Sequence, residues 1–269
     1  MVIFSNAKIN IGLYVKGKRP DGYHNIESLL VPIALYDVLE LHHSTTNDRF
    51  KVWGMELPDA DNLCIKAVEL LREDYPQIGP VDSYLIKNIP SGAGLAGGSS
   101  NASFMLQGLS DLFGLDLKSD ALKHYASQLG SDCPFFIDNE PQLAKGRGVE
   151  LSPFAIDLKP YTLVLVKPKF SISTREAYQA LRLNKAPRSL EDDLKRPLEE
   201  WREAVSNDFE EALTPRFPKI GEIKQSLYEA GALYASMTGA GSVVYGLFKT
   251  PPEASLFQDF GQVYLSKFL

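Results

Sequence analysis

Residues 90–100 read Pro-Ser-Gly-Ala-Gly-Leu-Ala-Gly-Gly-Ser-Ser, and this glycine-rich loop decides the fold more than any other stretch of the chain. Four glycines fall within residues 92–98, which lets the backbone take dihedral angles that a side chain forbids and approach a ligand closely. A strand-like segment at 81–89 precedes the loop, and a helical pattern follows it with apolar residues at Phe104, Met105, Leu109 and Phe113. Because N–H groups and the dipole at a helix start favour an anion, this arrangement predicts a phosphate-binding loop.

Every residue of the loop is therefore a candidate for the phosphate cradle: Pro90, Ser91, Gly92, Ala93, Gly94, Leu95, Ala96, Gly97, Gly98, Ser99 and Ser100. The hydroxyl groups of the two serines can add contacts to phosphate oxygens or to a bound Mg²⁺. The alternative is a flexible turn in which one serine only caps the helix, but so many glycines in a short stretch favour the phosphate interpretation.

Two other nucleotide-binding loops have to be weighed against this one. Gly92, Gly94 and Gly97 satisfy the G-x-G-x-x-G spacing of dinucleotide-binding folds, yet that fold needs a second strand ending in an acidic residue about 20 residues on. Here the chain continues as a helix, and Asp116 lies between two predicted helices. Residues 12–18 imitate a Walker A loop, but Arg19 replaces its Ser or Thr. We reject both.

From Lys8 to Val15, apolar residues occupy every second position, as is typical of a β-strand. This alternation places Lys8 and Asn10 on the same face of the strand. Further strands are predicted at 27–35, 38–42, 50–53, 135–137, 161–166, 232–236 and 243–248. Helices are predicted from a cap at Asp61 or Asn62, from a cap at Ser119 through Leu129, and around Tyr178. A charge-rich stretch at 182–203 is predicted to be a solvated, partly helical segment.

Length, charge and cysteine content exclude several classes of protein. The 269 residues allow one large domain or two modest ones, and a net charge of −6 argues against a nucleic-acid binder. No apolar run approaches the roughly 20 residues that span a bilayer, and Lys8 interrupts any secretion signal. Two cysteines are too few for a disulfide framework or a zinc site, and the histidines lack metal-ligand spacing. We expect a cytoplasmic protein with no metal site of its own and no membrane or nucleic-acid partner.

Five motifs in fixed order carry a resemblance to a known family. Besides the loop, they are Ala-Lys-Ile-Asn at 7–10, Gly-Lys-Arg-Pro-Asp-Gly-Tyr-His at 17–24, Leu-Gly-Ser-Asp-Cys-Pro-Phe-Phe at 129–136 and Thr-Gly-Ala-Gly-Ser at 238–242. Together they resemble the GHMP kinase superfamily, named for galactose, homoserine, mevalonate and phosphomevalonate kinases. The motifs at 7–10, 17–24 and 129–136 narrow the resemblance to a branch that acts on a cytidine diphosphate sugar-alcohol in the non-mevalonate isoprenoid pathway. Ala96, Ser131 and Cys133 depart from the usual residues, and the first two stay small.

The resemblance implies an α+β fold of two domains, with the active site in the cleft between them. Residues 1–155 would form the ATP-binding domain, and residues 156–269 a ferredoxin-like domain. The implied reaction is phosphorylation of the 2-hydroxyl of the sugar-alcohol, with ATP as co-substrate and Mg²⁺. The implied assembly is a monomer or weak homodimer. Another small-alcohol kinase of the superfamily, or a non-catalytic nucleotide-binding module, are the alternatives.

The resemblance also assigns catalytic roles. Asp132 matches the catalytic base, and Lys8 matches its partner, which would lower the pKa of the acceptor hydroxyl and offset negative charge in the transition state. From the residues alone, Asp132 before Pro134 is equally typical of a turn, and Lys8 of a solvated surface lysine.

The acceptor is expected to be recognised through its cytosine. Tyr23 and His24 follow a loop that suits a nucleobase, because one offers an aromatic face and the other a hydrogen-bonding group. By resemblance Tyr178 is the second stacking aromatic, and Asn10 and Thr174 are further candidates for substrate contacts. The alternative is a core tyrosine with a turn histidine.

Overall fold

The structure is a computed structural model that describes residues 1–55, 62–181 and 188–269. The chain forms two compact units whose segments alternate along the sequence. The first unit consists of residues 1–7, 35–91 and 96–140, and the second of residues 8–34, 92–95 and 141–269. Strands β1 (Val2–Lys18) and β2 (His24–His43) contribute to both units. The glycine-rich loop does so too, because residues 92–95 belong to the second unit.

The first unit combines a sheet with a set of helices. Its further elements are β3 (Arg49–Trp53), α1 (Leu63–Asp74), β4 (Val81–Ile86), α2 (Gly97–Leu112), α3 (Ser119–Leu129) and α4 (Phe135–Asp138). β4 pairs antiparallel with the end of β2, where Val38 lies opposite Ile86, and parallel with β3. The alternating inward residues of these strands pack on the helices in one core that includes Leu39, Leu41, Leu71, Leu85, Met105 and Leu109.

Most predicted helix boundaries in the first unit are confirmed. The side chain of Asn62 accepts a hydrogen bond from the N–H of Cys64 at 2.9 Å and so caps α1, while the alternative cap Asp61 lies outside the described residues. α2 begins directly in the glycine-rich loop at Gly97. α3 ends at Leu129 as predicted, but the cap predicted at Ser119 is wrong: Lys118 is the N-cap residue, Ser119 is the first helical residue, and its hydroxyl donates to Asp138 Oδ1 at 2.9 Å.

The strand predicted at 135–137 is wrong, because these residues form the short helix α4. Pro134, the residue before this helix, already has helical backbone angles of φ −58° and ψ −29°, and Asn139 ends the helix in the left-handed conformation at φ 54°. Three apolar residues in a row carry no period, so a buried strand and a buried helix turn have the same sequence pattern. β2 also differs from prediction, since it runs through Pro32 as one strand instead of two.

The second unit is built on a four-stranded antiparallel sheet. Its elements are β5 (Gln142–Lys145), β6 (Glu150–Pro153), β7 (Thr162–Pro168), α5 (Thr174–Ala180), α6 (Leu190–Leu194), α7 (Trp201–Ala204), α8 (Asp208–Leu213), α9 (Lys219–Glu229), β8 (Tyr234–Met237), β9 (Val244–Phe248) and β10 (Gly261–Lys267). The sheet order is β10-β7-β9-β8, and β5 pairs with β6 and with the start of β2. A core including Val164, Ile220, Ile223, Leu227, Ala235 and Val244 joins sheet and helices.

The charge-rich stretch is partly helical as predicted, although residues 182–187 lie outside the described part. Its described residues form α6, a 3₁₀ turn at Leu198–Glu200 and α7. The stretch is less solvated than predicted, because Leu190 and Trp201 are buried. Within the described ranges, no helix is both long and apolar enough to cross a membrane.

Candidate active site

Residues 92–95 of the glycine-rich loop are fastened to the second unit by main-chain hydrogen bonds. The carbonyl of Ala93 accepts from the N–H of Val243 at 3.2 Å, and the carbonyl of Leu95 accepts from the N–H of Lys8 at 3.2 Å. The side chains of Ala93 and Leu95 are buried. These two residues therefore anchor the loop and present no side chain to a ligand.

Gly94 is the point where the loop meets the Thr-Gly-Ala-Gly-Ser motif. It has φ +80°, and a Cβ at this position would lie 2.1 Å from the carbonyl oxygen of Thr238, a distance that no side chain tolerates. Its own carbonyl accepts hydrogen bonds from Lys8 Nζ at 3.2 Å and from Thr238 Oγ1 at 3.1 Å. Glycine is required here both for its positive φ and for the close approach.

Lys8 and Asn10 lie side by side, as the alternation of β1 predicts. Lys8 Nζ donates to Asn10 Oδ1 at 2.6 Å, and the main-chain N–H of Asn10 donates to Thr238 Oγ1 at 2.9 Å. The amide of Asn10 also donates to Ser28 Oγ at 2.7 Å. Lys8 is only 4% exposed, so the interpretation as a solvated surface lysine is wrong. The hydrogen bonds of the Lys8 ammonium to Asn10 Oδ1 and to the Gly94 carbonyl fix its position before a ligand binds.

Thr238 and Ser28 are not among the site residues predicted from the sequence. The available signal for Thr238 was its place in a second glycine-rich motif, which is typical of a close main-chain approach. Asn207 braces the same turn, because its side-chain amide donates to the carbonyls of Met237 at 2.7 Å and Gly239 at 2.8 Å. Ser28 lies within an ordinary strand pattern, and nothing in the sequence sets it apart.

In the first unit, the start of α2 presents one open position. Ala96 takes the left-handed conformation at φ 54° and leads into the helix at Gly97. A Cβ on Gly98 would meet nothing within 4 Å, whereas one on Gly97 would lie 2.8 Å from Ile89 Cγ2. Gly97 therefore faces the protein interior, and Gly98 is the glycine beside which space is open.

The two serines of the loop differ in their surroundings. The hydroxyl of Ser100 is buried and donates to the main-chain carbonyl of Asn6 at 2.6 Å, so its proton is already used within the protein. Ser99 is partly exposed. Of the two hydroxyls, that of Ser99 is the better placed to contact a phosphate.

Asp132 lies in the turn between α3 and α4 and is half-buried. The next residue fixes this turn, because the carbonyl of Cys133 accepts a hydrogen bond from Ser103 Oγ at 2.7 Å. Burial raises the pKa of the Cys133 thiol to about 11, which keeps it protonated and unreactive. Beyond α4, Asn139 and Asn6 exchange side-chain amide hydrogen bonds at 2.8 and 3.1 Å. These contacts hold the chain that follows Asp132 within the first unit.

The predicted base-binding aromatics have an unexpected arrangement. His24 stacks on Tyr178 with ring centres 4.9 Å apart, and the rings of Tyr178 and Phe209 meet edge to face with centres 4.8 Å apart. Tyr23 is 59% exposed, with the guanidinium of Arg147 lying 4.8 Å from its ring centre. Tyr178 therefore has His24 as its stacking partner in this structure. Sequence reasoning missed this pair, because their positions lie far apart along the chain.

The surroundings of His24 favour its neutral form. Burial and, to a smaller extent, the nearby Lys18 lower the pKa of its imidazole. A neutral imidazole can both donate and accept a hydrogen bond. Thr174 is exposed as the first residue of α5. Within the described residues, no group of three or more His, Cys, Asp or Glu side chains is arranged to hold a metal ion.

Two family models match the chain. The model of the GHMP kinases N terminal domain matches residues 62–139, and the model of the GHMP kinases C terminal matches residues 190–262. The matched segments lie on either side of the predicted boundary at residue 155, which itself stays a prediction. The α+β class and the two-domain GHMP kinase fold are confirmed.

Curated relatives and a solved structure extend the similarity over nearly the whole chain. The 4-diphosphocytidyl-2-C-methyl-D-erythritol kinase of Bacteroides thetaiotaomicron is 47% identical over 261 residues, which are 95% of this chain and 94% of that protein. The enzyme of the same name from Azobacteroides pseudotrichonymphae is 50% identical over 254 residues, 93% of this chain and 94% of its own. A crystal structure of 4-(cytidine 5′-diphospho)-2C-methyl-D-erythritol kinase matches with a TM-score of 0.87 at 28% identity and covers 100% of this chain and 99% of that one. The similarity therefore includes every motif discussed above.

Proposed function

Since the chain belongs to the 4-diphosphocytidyl-2-C-methyl-D-erythritol kinase family of the GHMP kinases, we propose that it phosphorylates the 2-hydroxyl of 4-(cytidine 5′-diphospho)-2-C-methyl-D-erythritol. Family membership makes the protein an ATP-dependent phosphotransferase that acts on an alcohol in the non-mevalonate isoprenoid pathway. The particular hydroxyl and the residues that act on it are the proposal. The observation that carries it is 47% to 50% identity over at least 93% of the chain.

The glycine-rich loop is proposed to bind the phosphates of ATP. The open space beside Gly98 and the main-chain N–H groups at the start of α2 support this role. Mg²⁺ when bound neutralises phosphate charge, and it usually keeps few protein ligands besides the phosphates. The group that the loop would offer to such an ion is the hydroxyl of the partly exposed Ser99.

Asp132 and Lys8 are proposed to act on the acceptor hydroxyl. Asp132 would take its proton, and the Lys8 ammonium would lower its pKa and offset charge that develops in the transition state. The hydrogen bonds of Lys8 to Asn10 and to the Gly94 carbonyl support its part, because they fix the ammonium in place before reaction. They also join the catalytic lysine directly to the loop proposed to hold ATP.

The cytidine part of the acceptor is proposed to bind among Tyr23, His24 and Tyr178. The exposed ring of Tyr23 supports this, since an aromatic face in solvent is suited to stacking on a base. Neutral His24 can serve as a donor or acceptor for the base edge. Asn10 and Thr174 are proposed to contact the remainder of the substrate.

The test is an ADP-release assay of the purified protein with ATP and one acceptor at a time. The acceptors are the cytidylyl compound, base-free 2-C-methylerythritol 4-phosphate, homoserine and mevalonate. We expect turnover with the cytidylyl compound and at least about a hundredfold lower kcat/KM with the others, because they lack the base that provides stacking energy. Faster turnover of another alcohol would favour the alternative of a different GHMP-type kinase. No ADP with any acceptor would favour a non-catalytic nucleotide-binding module.

The ATP role of the loop has a separate test in Gly98→Val, with Gly98→Ala as control. A Cβ on Gly98 would meet no neighbouring atom within 4 Å, so we expect the protein to accommodate valine and a rise in the ATP KM to report a clash with ligand. We expect an increase of at least about tenfold for valine and much less for alanine. An unchanged ATP KM in Gly98→Val would remove the loop from the ATP site.

We further propose that the protein works in the cytoplasm, where its co-substrate ATP is held, as a monomer or weak homodimer. Its net charge of −6 supports the absence of a nucleic-acid partner. Sedimentation over a range of protein concentrations tests the oligomeric state.

A further inference from the structure

A buried cluster of three polar residues lies beneath the glycine-rich loop in the first unit. It consists of Asp37 on β2, Lys87 just beyond β4 and Asn101 on α2. The side chains of Asp37 and Lys87 are 0% and 2% exposed, and Asn101 is 2% exposed. None of the five sequence motifs contains them, and the mechanism above makes no use of them.

The carboxylate of Asp37 uses both of its oxygens. Oδ1 accepts the main-chain N–H groups of Asn88 at 2.7 Å and Ile89 at 2.8 Å, which are the last two residues before the loop. Oδ2 accepts from Lys87 Nζ in an ion pair and from the amide of Asn101 at 2.9 Å. Because Asn101 lies in the first two turns of α2, one carboxylate ties the residues that enter the loop to the helix that leaves it.

The other two members complete this connection. Lys87 Nζ donates to Asn101 Oδ1 at 2.9 Å, so the three side chains form a closed ring of hydrogen bonds. The same ammonium lies 3.2 Å from the position that a Cβ on Gly97 would take. The amide of Asn101 also donates to Ser5 Oγ at 2.8 Å, which extends the contact to β1. The cluster thus contacts the main chain before the loop and packs against its first helical residue.

Stability alone is a weak reason to keep such a cluster. Replacing a buried ion pair with apolar residues of similar size is often neutral or stabilising, because burial removes both charges from water. Unlike apolar contacts, the hydrogen bonds of the cluster fix both the distance and the relative orientation of the groups that they join. Both features point to a requirement for defined geometry at the two ends of the loop.

We infer that Asp37, Lys87 and Asn101 are positioning residues for the glycine-rich loop, setting the separation of its two ends so that its N–H groups match the phosphates of ATP. The inference rests on the proposed role of the loop in ATP binding. The three residues contact no substrate in this scheme. They act through the main chain of Asn88, Ile89 and Gly97.

The test compares Asp37→Asn and Asn101→Ala with the wild-type enzyme by steady-state kinetics. We expect each variant to raise the ATP KM by about tenfold or more while the acceptor KM stays within about twofold, because only the loop loses its fixed ends. Asn101→Ala leaves the ion pair between Asp37 and Lys87 in place. It decides the question if Asp37→Asn fails to fold.

Two control variants separate positioning from general loss of stability. Asp48 is a more exposed counterpart of Asp37: its side chain is 50% exposed, accepts the N–H of Val81 at the opposite end of β4 at 2.9 Å and pairs with Arg72. Ser110 is the match for Asn101, because it is buried at the far end of α2 and accepts the N–H of Leu117 at 3.1 Å. Asp48→Asn and Ser110→Ala should lower the melting temperature and leave the ATP KM unchanged.

Amide hydrogen exchange of the unliganded protein gives a readout besides activity. In Asp37→Asn the amides of Asn88 and Ile89 should exchange at least about tenfold faster, with the amide of Val81 unaffected. An unchanged ATP KM in folded Asn101→Ala, or an equal rise in the Ser110→Ala control, overturns the inference. If Gly98→Val raises the ATP KM and Asn101→Ala does not, the inference alone fails. If Gly98→Val has no effect, the ATP role of the loop fails and the inference falls with it.

Discussion

Replacing Gly94 with alanine tests whether the contact between the glycine-rich loop and Thr238 determines the site. The added Cβ would lie 2.1 Å from the carbonyl oxygen of Thr238 and 3.0 Å from its carbonyl carbon. These are main-chain atoms in a turn that Asn207 braces with two hydrogen bonds, so Thr238 has little freedom to move. The loop has to move instead, and the Gly94 carbonyl then leaves Lys8 Nζ and Thr238 Oγ1.

The expected cost has three parts. A left-handed alanine costs roughly 1–2 kcal/mol relative to glycine. The hydrogen bond from Thr238 is worth about 0.5–1.5 kcal/mol, and the one from the charged Lys8 about 1.5–3 kcal/mol. Because the loop relaxes partly, we expect about 3 kcal/mol of lost stability, or a melting temperature lower by roughly 6–12 °C. Since Lys8 loses its hydrogen bond to the Gly94 carbonyl, kcat/KM for ATP should fall by at least about tenfold.

The assay is thermal unfolding together with steady-state kinetics for Gly94→Ala and two glycines of the same loop. Gly92 has φ +60° with nothing within 4 Å of its Cβ position, so Gly92→Ala carries only the cost of the dihedral angle. Gly98 has open space and no positive φ, so Gly98→Ala should leave stability unchanged or slightly raise it. If Gly94→Ala is no less stable than Gly92→Ala, the close contact between Gly94 and Thr238 does not contribute to stability beyond the cost of a positive φ.

Three further predictions address other parts of the site. Asp132→Asn should lower kcat by about 10²–10⁴-fold with the KM of both substrates nearly unchanged, and near-normal turnover would leave Asp132 as a turn residue. Tyr178→Ala should raise the acceptor KM by roughly 5- to 150-fold, because it removes both a ring proposed for the base site and the stacking partner of His24, while Tyr178→Phe keeps the ring and should stay near wild type. Tyr23→Ala should raise the acceptor KM over the same range as Tyr178→Ala. Cys64 and Cys133 should resist iodoacetamide at pH 8, because burial raises their thiol pKa to about 12 and about 11; modification of the native protein by mass spectrometry would contradict this.

The sequence predicted well whatever a local pattern determines. The alternation of β1 correctly placed Lys8 beside Asn10, and the asparagine before α1 was predicted as its cap. Both rest on short-range rules of strand period and helix termini. The place of the glycine-rich loop between a strand and a helix followed for the same reason, whereas its role in binding ATP stays a prediction.

What the sequence missed depends on residues that meet only after folding. The stacking of His24 on Tyr178 and the hydrogen bond from Ser100 to Asn6 join positions far apart along the chain. The inward direction of Gly97 depends on where Ile89 lies. No local pattern contains this information, so identical-looking neighbours such as Gly97 and Gly98 have opposite surroundings.

The same distinction explains why a set of motifs identified the family when single motifs did not. The contact of Gly94 with Thr238 joins two glycine-rich stretches separated by more than a hundred residues. The motif at 7–10 is joined to them because the main-chain N–H of Asn10 donates to the Thr238 hydroxyl. Each stretch alone is typical of many turns, since glycine and small polar residues serve any tight bend. Their joint presence is restrictive because each one supplies an atom that another requires: the Gly94 carbonyl for Lys8, and the Thr238 hydroxyl for both Asn10 and Gly94. A chain with only one of these stretches would lack the atoms with which that stretch forms its hydrogen bonds. The presence of all the motifs in one sequence therefore indicates that these contacts form in the folded protein.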